Sequence, residues 1–242
     1  MNIVILTGAG ISAKSGLATF RAEDGLWAGH RIEDVCTPEA LAQDPNRVCR
    51  FYDDRKILAA QAHPNAAHHA LVELERHWQD HSKGDFLLIT QNVDDLHERA
   101  GSANLIHMHG ELNSAYCMDC GYHGPRFGPL EDNRECPACE RDMLRPDIVF
   151  FGEIPRGMPR IEEALQSCDL FAAIGTSGQV YPAAGFVRVA KSRGAQTVLL
   201  NLEVPEGGED FDICRTGEAT VVVPQWVADL TAGEREKNRR LP

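Results

Sequence analysis

The residues best suited to chemistry lie between Thr90 and Gly110, in the stretch TQNVDDLHERAGSANLIHMHG. Gln91, Asn92 and Asp94 follow a short apolar run, Phe86-Leu87-Leu88-Ile89, that reads as a buried strand. Ligands of open α/β sheets bind beyond the carboxyl ends of strands, and amide or carboxylate side chains there can hydrogen-bond a ribose or an amide. After a helix expected over 95–100 and a turn at Gly101, residues 105–110 read as a returning strand. Alternation puts His107 and His109 on one of its faces. A histidine at a strand end, followed by glycine, is placed for proton transfer near neutral pH. Taken alone, the segment also reads as a polar loop with two ordinary histidines, and the other motifs decide between the two.

The elements that must position these groups begin with a strand over 2–6 and the loop Thr7-Gly8-Ala9-Gly10-Ile11-Ser12-Ala13. Gly8, Gly10 and Ala13 match G-x-G-x-x-G/A in a strand-to-helix setting, where glycines let a backbone approach a pyrophosphate at a helix N-terminus. A hydride-transferring dinucleotide enzyme would show a second strand ending in an acidic residue about 20 residues on. Residues 19–27 show no strand pattern. A loop folding over a cofactor is expected instead, with Phe20 shielding the reactive centre and Arg21 meeting charge.

Residues 37–81 read as helical with a break at His63-Pro64-Asn65, Pro64 fitting a helix start. Tyr52 and Arg55 are three apart and share a helix face, where a phenol and a guanidinium can clamp a carboxylate. Spacing alone favours the plainer arrangement, Arg55 solvated beside Asp53 or Asp54 and Tyr52 packed in the core. Further on, Cys117-x-x-Cys120 and Cys136-x-x-Cys139 are separated by fifteen residues. Two such knuckles place four thiolates on one tetrahedral zinc, closing its shell and making it structural. Cys36, Cys49, Cys168 and Cys214 are scattered and read as small buried hydrophobes.

The α/β rhythm returns with a strand from Arg145 into a loop at Gly152-Glu153, a helix over 161–166 and a buried strand over 169–174. Gly175-Thr176-Ser177 is a second small-residue loop at a strand end, suited to phosphate or ribose. A helix over 183–192 and a strand over 197–200 lead to Asn201-Leu202-Glu203, where Asn201 or Glu203 could accept ribose hydroxyls. A last strand is expected at Val221–Val223, then a helix over 224–230. The net charge of −12 disfavours a nucleic-acid surface and suits a basic peptide partner. No apolar run approaches the roughly 20 residues of a membrane span. The opening lacks the basic segment of a leader, so a cytoplasmic protein is expected.

GAGISAKSGLATFR (8–21), TQNVDDLH (90–97), HG (109–110), the paired knuckles, FGE (151–153), GTS (175–177) and NLE (201–203) occur in one order. Together they resemble the sirtuin family of NAD-dependent protein deacylases, from residue 2 to about 230, and the chain is similar to its bacterial CobB type. The resemblance implies an α/β fold: a Rossmann-like parallel-sheet domain over approximately 1–27, 82–112 and 145–230. A smaller inserted domain would be helical over 28–81 and zinc-binding over 113–144, with a flexible tail at 233–242.

The same resemblance implies NAD as co-substrate, one structural zinc, and roles for particular residues. His109 would be the general base on a hydroxyl of the nicotinamide ribose. Asn92 and Gln91 would position ribose and water, with Val93 beside them, and Asp94 would meet the carboxamide. Gly8, Ala9, Gly10, Ser12, Ala13, Phe20 and Arg21 would form the cofactor loop. Gly175, Thr176 and Ser177 would contact phosphate and ribose, Asn201, Leu202 and Glu203 the adenosine side, and the Ala219 backbone the adenine. Tyr52-x-x-Arg55 is similar to the clamp of the subclass that removes succinyl and malonyl groups. Cys36 stands where close relatives carry alanine at the acyl pocket.

The implied activity is removal of succinyl, malonyl and acetyl groups from lysine, with release of nicotinamide and O-acyl-ADP-ribose. The implied partners are acylated lysines of proteins or peptides, with no nucleic acid and no membrane, and the chain acting as a monomer. Three alternatives are mono-ADP-ribosyl transfer in the same cleft, a zinc-ribbon nucleic-acid binder, which the charge disfavours, and a non-catalytic NAD- or zinc-dependent interaction module. The last would not need His109, Asn92 and Asp94 together.

Overall fold

Three strands with every residue buried, β1 (Ile3–Thr7), β5 (Phe86–Thr90) and β10 (Leu170–Ile174), lie side by side and parallel. Such continuous apolar strands need cover on both faces. Ile3 and Ile5 join one core with Leu71, Leu74, Trp78, Val223 and Trp226. Val4 and Leu6 join another with Ile161, Leu165, Phe186 and Val187. Each fully buried side chain of this size contributes about 1.5–3 kcal/mol. The covering helices are α4 (Ala66–Asp80) and α8 (Ala219–Arg239) on the first face, α6 (Met158–Ser167) and α7 (Phe186–Ser192) on the second. This computed structural model describes residues 1–21, 26–80, 84–126 and 128–239.

With β6 (Leu105–His107), β11 (Gln196–Asn201) and β12 (Ile213–Thr216), the parallel sheet has six strands in the order β12-β11-β10-β1-β5-β6. The chain builds outward from β1 first to one side and then to the other. That reversal opens a crevice at the strand ends beside β1. Thr7 lies opposite both Thr90 and Ile174, so the loops leaving β1, β5 and β10 start at one level.

Beside the main sheet stand β2 (Phe20–Arg21), β3 (Leu26–Trp27) and β4 (His30–Arg31), a small antiparallel sheet where only a loop was expected. The expected shielding by Phe20 and charge contact by Arg21 concern side chains outside the described residues. α1 (Ile32–Val35), α2 (Pro38–Gln43) and α3 (Pro45–Gln61) follow. The single helix expected from Thr37 breaks at Asp44, whose carboxylate caps α3 by accepting the Arg47 N–H at 3.0 Å.

Three assignments are corrected by packing. α4 places Ala67, Ala70, Leu71, Leu74 and Trp78, a helical stripe, on the main sheet, although a separate helical insertion was expected to run to 81. β9 (Leu144–Ile148) pairs antiparallel with β7 (Gly110–Cys117), which carries β8 (His123–Pro125) on its other edge, so residues 145–148 belong to a separate sheet. The strand expected at Val221–Val223 is helix. Val222, Val223, Trp226, Val227 and Leu230 fall at helical spacing against the main core, and that burial overrides the strand preference of three valines. α8 runs through Pro224 and reaches Arg239, past the point where fraying was expected. Finally, Cys214 on β12 is exposed, unlike Cys36, Cys49 and Cys168.

Candidate active site

A cleft of about 1010 Å³ opens at the strand ends beside β1. Gly8, Ala9, Gly10, Ser12 and Ala13 line it from β1, Gln91, Asn92, Val93 and Asp94 from β5, and Gly175, Thr176 and Ser177 from β10. Asn201, Leu202 and Glu203 after β11, Ala219 at the start of α8, His109, Cys36 and Arg55 complete the predicted set found there. The first glycine loop is followed by two short 3-10 turns, Ala9–Ile11 and Ala13–Ser15, and not by the expected α-helix. Its glycines serve first to let two loops touch. Gly10 N donates to the Gly175 carbonyl at 2.8 Å, and a Cβ on Gly10 would sit 2.7 Å from the Gly175 Cα. Gln91 Nε2 ties the β5 loop to the Thr176 hydroxyl at 3.0 Å, and Asn201 Nδ2 reaches the Thr176 carbonyl at 3.1 Å.

β6 ends at His107, so His109 lies in the turn beyond it. Both imidazoles nevertheless reach the β5 loop, while Met108 between them is fully buried in the core. Gly110 (φ +83°) makes this turn, and a Cβ there would overlap the Asp147 carbonyl. His109 Nδ1 lies 3.2 Å from the Gln91 carbonyl, which can only accept, so Nδ1 carries the proton and Nε2 the lone pair. Burial pulls the His109 pKa below 6.5, with the Gln91 bond opposing in part. His107 shifts the other way. Burial pulls it down, but Glu98 at 2.5 Å and the Asn92 carbonyl outweigh that and raise it. The two histidines are therefore chemically distinct, and His109 is the neutral acceptor.

Asn92 and Asp94 are buried and meet at Ser12. Asn92 Nδ2 donates to the Ser12 hydroxyl at 3.2 Å, and that hydroxyl donates to Asp94 Oδ2 at 3.2 Å. Burial raises the Asp94 pKa against the hydrogen bonds it accepts from the Leu96 N–H and the Ser12 hydroxyl. Beneath lies a group the motifs did not reveal. The Asn65 backbone N–H donates to His68 Nδ1 at 3.2 Å, which leaves the proton on Nε2, 3.5 Å from the Ser12 hydroxyl. Asn65 Nδ2 also holds the Ile11 carbonyl at 2.8 Å. His97 Nε2 meets Thr7 Oγ1 at 3.0 Å. Burial keeps both imidazoles neutral, His68 at about 4 and His97 well below 6.5. The signal was present as Pro64-Asn65-x-x-His68, but it read only as a helix start. Arg145 was likewise missed: its Nη1 and Nη2 grip Glu153 at 2.7 and 3.0 Å and so hold the 151–153 loop at the cleft wall.

At the other end, α3 brings Tyr52 and Arg55 together on one face. Tyr52 is completely buried against Trp27, Phe51 and Phe150, with its hydroxyl beside the Cys36 thiol. Arg55 stacks over the Phe51 ring at 4.7 Å and lines the cleft, and its Nε and Nη1 are buried without a hydrogen-bond partner among the described residues. Asp53 does not pair with it, being turned to the opposite side of the helix. A guanidinium on a cleft wall with no carboxylate paired to it can take an anion.

The Sir2 family profile matches residues 8–182. An NAD-dependent protein deacylase of Pasteurella multocida (strain Pm70) is 52% identical over 233 residues, covering 95% of this chain and 98% of that one. The chain belongs to the Sir2 family. Among solved Sir2 structures, a Sir2 homolog–NAD complex superposes with a TM-score of 0.84 at 37% identity, covering 96% of this chain and 90% of that one. A Sir2 bound to an acetylated peptide superposes at 0.80 with 26% identity, covering 95% and 93%.

Two groups that the Sir2 family implies can be tested against this chain. The four Sγ atoms of Cys117, Cys120, Cys136 and Cys139 lie within 4.8 Å of one another, with Cys117–Cys139 at 3.7 Å and Cys120–Cys136 at 3.6 Å. A tetrahedron of Zn–S bonds of about 2.3 Å has edges of about 3.8 Å, so the set fits one zinc and leaves no open position. Backbone N–H groups of Asp119 and Ala138 point at the Cys117 and Cys136 sulfurs at 3.4 Å, as thiolates require. For NAD, the cleft lies at the upper end of the ~300–1,000 Å³ usual for ligand sites. Its floor is formed by glycine loops that a Cβ would obstruct, so the donor set and the space both fit.

Proposed function

We propose that this Sir2-family chain is an NAD-dependent protein lysine deacylase that removes succinyl, malonyl and acetyl groups. The observation carrying the reading is one cleft with a neutral histidine, His109, on one wall and the guanidinium of Arg55 on another. Bound NAD supplies an electrophilic ribose carbon with nicotinamide as its leaving group. His109 Nε2 accepts a proton from a ribose hydroxyl, as a neutral imidazole with Nδ1 held by Gln91 can do. Asn92 and Gln91 orient ribose and water, Val93 flanks them, and Asp94 meets the carboxamide. The loops at Gly8–Ala13 and Gly175–Ser177 hold the diphosphate, while Asn201, Leu202, Glu203 and Ala219 take the adenosine side. Phe20 and Arg21 belong to the cover of the cofactor loop. Arg55, backed by Tyr52, holds the distal carboxylate of an acidic acyl group. Four cysteines on one zinc keep the small sheet folded.

Its substrates are acylated lysines of proteins or peptides, and it acts as a monomer in the cytoplasm. Among the described residues no helix is long and apolar enough to cross a membrane. The test is incubation with NAD and matched acetyl- and succinyl-lysine peptides, followed by mass spectrometry of peptides, nicotinamide and O-acyl-ADP-ribose. Faster loss of the succinyl group with both products supports the full reading. Acetyl loss alone keeps the deacylase and discards the clamp. Transfer of ADP-ribose to protein, or no NAD consumption by folded, zinc-loaded protein, would replace the reading by one of its alternatives.

A further inference from the structure

α3 presents two adjoining faces, about 90° apart around its axis, to two different parts of the molecule. Tyr52, Arg55 and Ala59 share the face that forms the acyl end of the cleft and its apolar backing. Cys49, Asp53 and Lys56 share the other, which lies against the segment between the two cysteine knuckles. Successive residues turn about 100° around a helix, so Asp53 and Arg55 are roughly 200° apart. The Asp53 carboxylate is buried and accepts two backbone N–H groups of that segment, Leu130 on Oδ1 at 3.1 Å and Glu131 on Oδ2 at 2.9 Å. It also forms a buried ion pair with Arg126. Lys56 Nζ donates to the Arg126 carbonyl at 2.8 Å, Arg50 Nε reaches Glu131 at 2.7 Å, and Cys49 packs with Leu130.

On the clamp side the contacts of α3 are apolar, with Leu112, Ile148 and Phe150. Packing of that kind tolerates small rotations, whereas a carboxylate gripping two N–H groups does not. The C-terminal end of α3 is tied separately, by Arg99 to the Ala59 carbonyl at 3.0 Å and to the Ala62 carbonyl at 2.6 Å. Asp53 is thus the central polar tie near the level of the clamp, with Lys56 beside it. We infer that Asp53 is a positioning residue for acyl specificity: by docking α3 on the inter-knuckle segment, it sets the rotation at which Arg55 meets an acidic acyl group. The inference rests on the clamp reading above and extends it to a residue that faces away from the cleft.

Acetyl-lysine makes no demand on Arg55, so loss of the tie should separate the two substrates. Asp53→Asn is expected to raise KM for a succinyl-lysine peptide and lower its kcat/KM about tenfold. Acetyl-peptide kinetics and NAD affinity should change little. A purely structural role would lower both activities together. Lys56→Met, which removes one neighbouring tie without stranding Arg126, should shift the ratio in the same direction by about threefold. It decides the matter alone if Asp53→Asn fails to fold by thermal melting. Calorimetric affinity for the succinyl peptide should fall in parallel. Unchanged succinyl-to-acetyl ratios in both variants, with the ratio collapsed in Arg55→Met, would overturn the role of Asp53 and keep the clamp. An unchanged ratio in Arg55→Met as well would remove the clamp and this inference together.

Discussion

His109 Nδ1 and the Gln91 carbonyl oxygen lie 3.2 Å apart, and this contact fixes which nitrogen of the histidine can take a proton. Burial holds its pKa below 6.5, so the base is neutral above that lower value and lost as the pH falls through it. The acid limb of kcat/KM is therefore expected below pH 6.5. His109→Phe should lose about 10²–10⁴-fold in deacylation while NAD still binds by calorimetry. A variant that keeps both activity and the acid limb would remove His109 from the base role.

Arg55 lines the cleft and forms no ion pair among the described residues, so its guanidinium suits a carboxylate and gains nothing from an acetyl methyl. Charge-assisted hydrogen bonds to one guanidinium are worth about 2 kcal/mol, or roughly thirtyfold. Arg55→Met should lower kcat/KM for succinyl-lysine by about that factor and leave acetyl-lysine nearly unchanged. Equal losses on the two peptides would mean that Arg55 only supports the fold.

The four thiols sit at the spacing of a closed zinc site. Chelation of the protein is expected to release one zinc per chain, measured with a colorimetric indicator, and to lower the melting temperature. Cys136→Ser should do the same. Because no cysteine of the set lines the cleft, zinc loss should act through stability and substrate binding. Full activity with no bound metal would contradict a structural role.

His68 stays neutral in the folded protein down to about 4, whereas the unfolded chain protonates near 6.5. Between those values the unfolded state binds more protons, so stability rises with pH and is lost as the pH falls through the window. The loss amounts to about 2 kcal/mol by pH 5 and about 3 kcal/mol below pH 4, with His97 acting in the same direction. Urea midpoints at pH 7 and pH 5 should differ accordingly, and His68→Gln should flatten the difference. Identical pH dependence in the variant would show that His68 is not the group responsible.

Much of the cleft was legible because its chemistry is written in short spacings. Two glycines one residue apart, two CxxC pairs, and an amide-acid loop after an apolar run place their groups close together whatever surrounds them. Most of the strands of the main sheet were legible for a related reason, since continuous burial leaves an unbroken apolar run. Tyr52 and Arg55 share a face by helical geometry alone, but spacing could not say whether Arg55 would be solvated or open to the cleft. The fold places Arg55 on the cleft wall, with Asp53 engaged on the far side of the helix.

What the sequence determined by itself was which polar groups follow which strands and the order of the loops that carry them, because those follow from local covalent neighbourhood. Tertiary structure alone decided the assignment of α4 to the main sheet, the pairing of β9 with β7 and the helical state of Val221–Val223. It also decided the seat of His68 under Ser12. In each case the outcome depends on which apolar face finds cover or which buried polar atom finds a partner. Those partners lie tens of residues away along the chain, so no local pattern can name them.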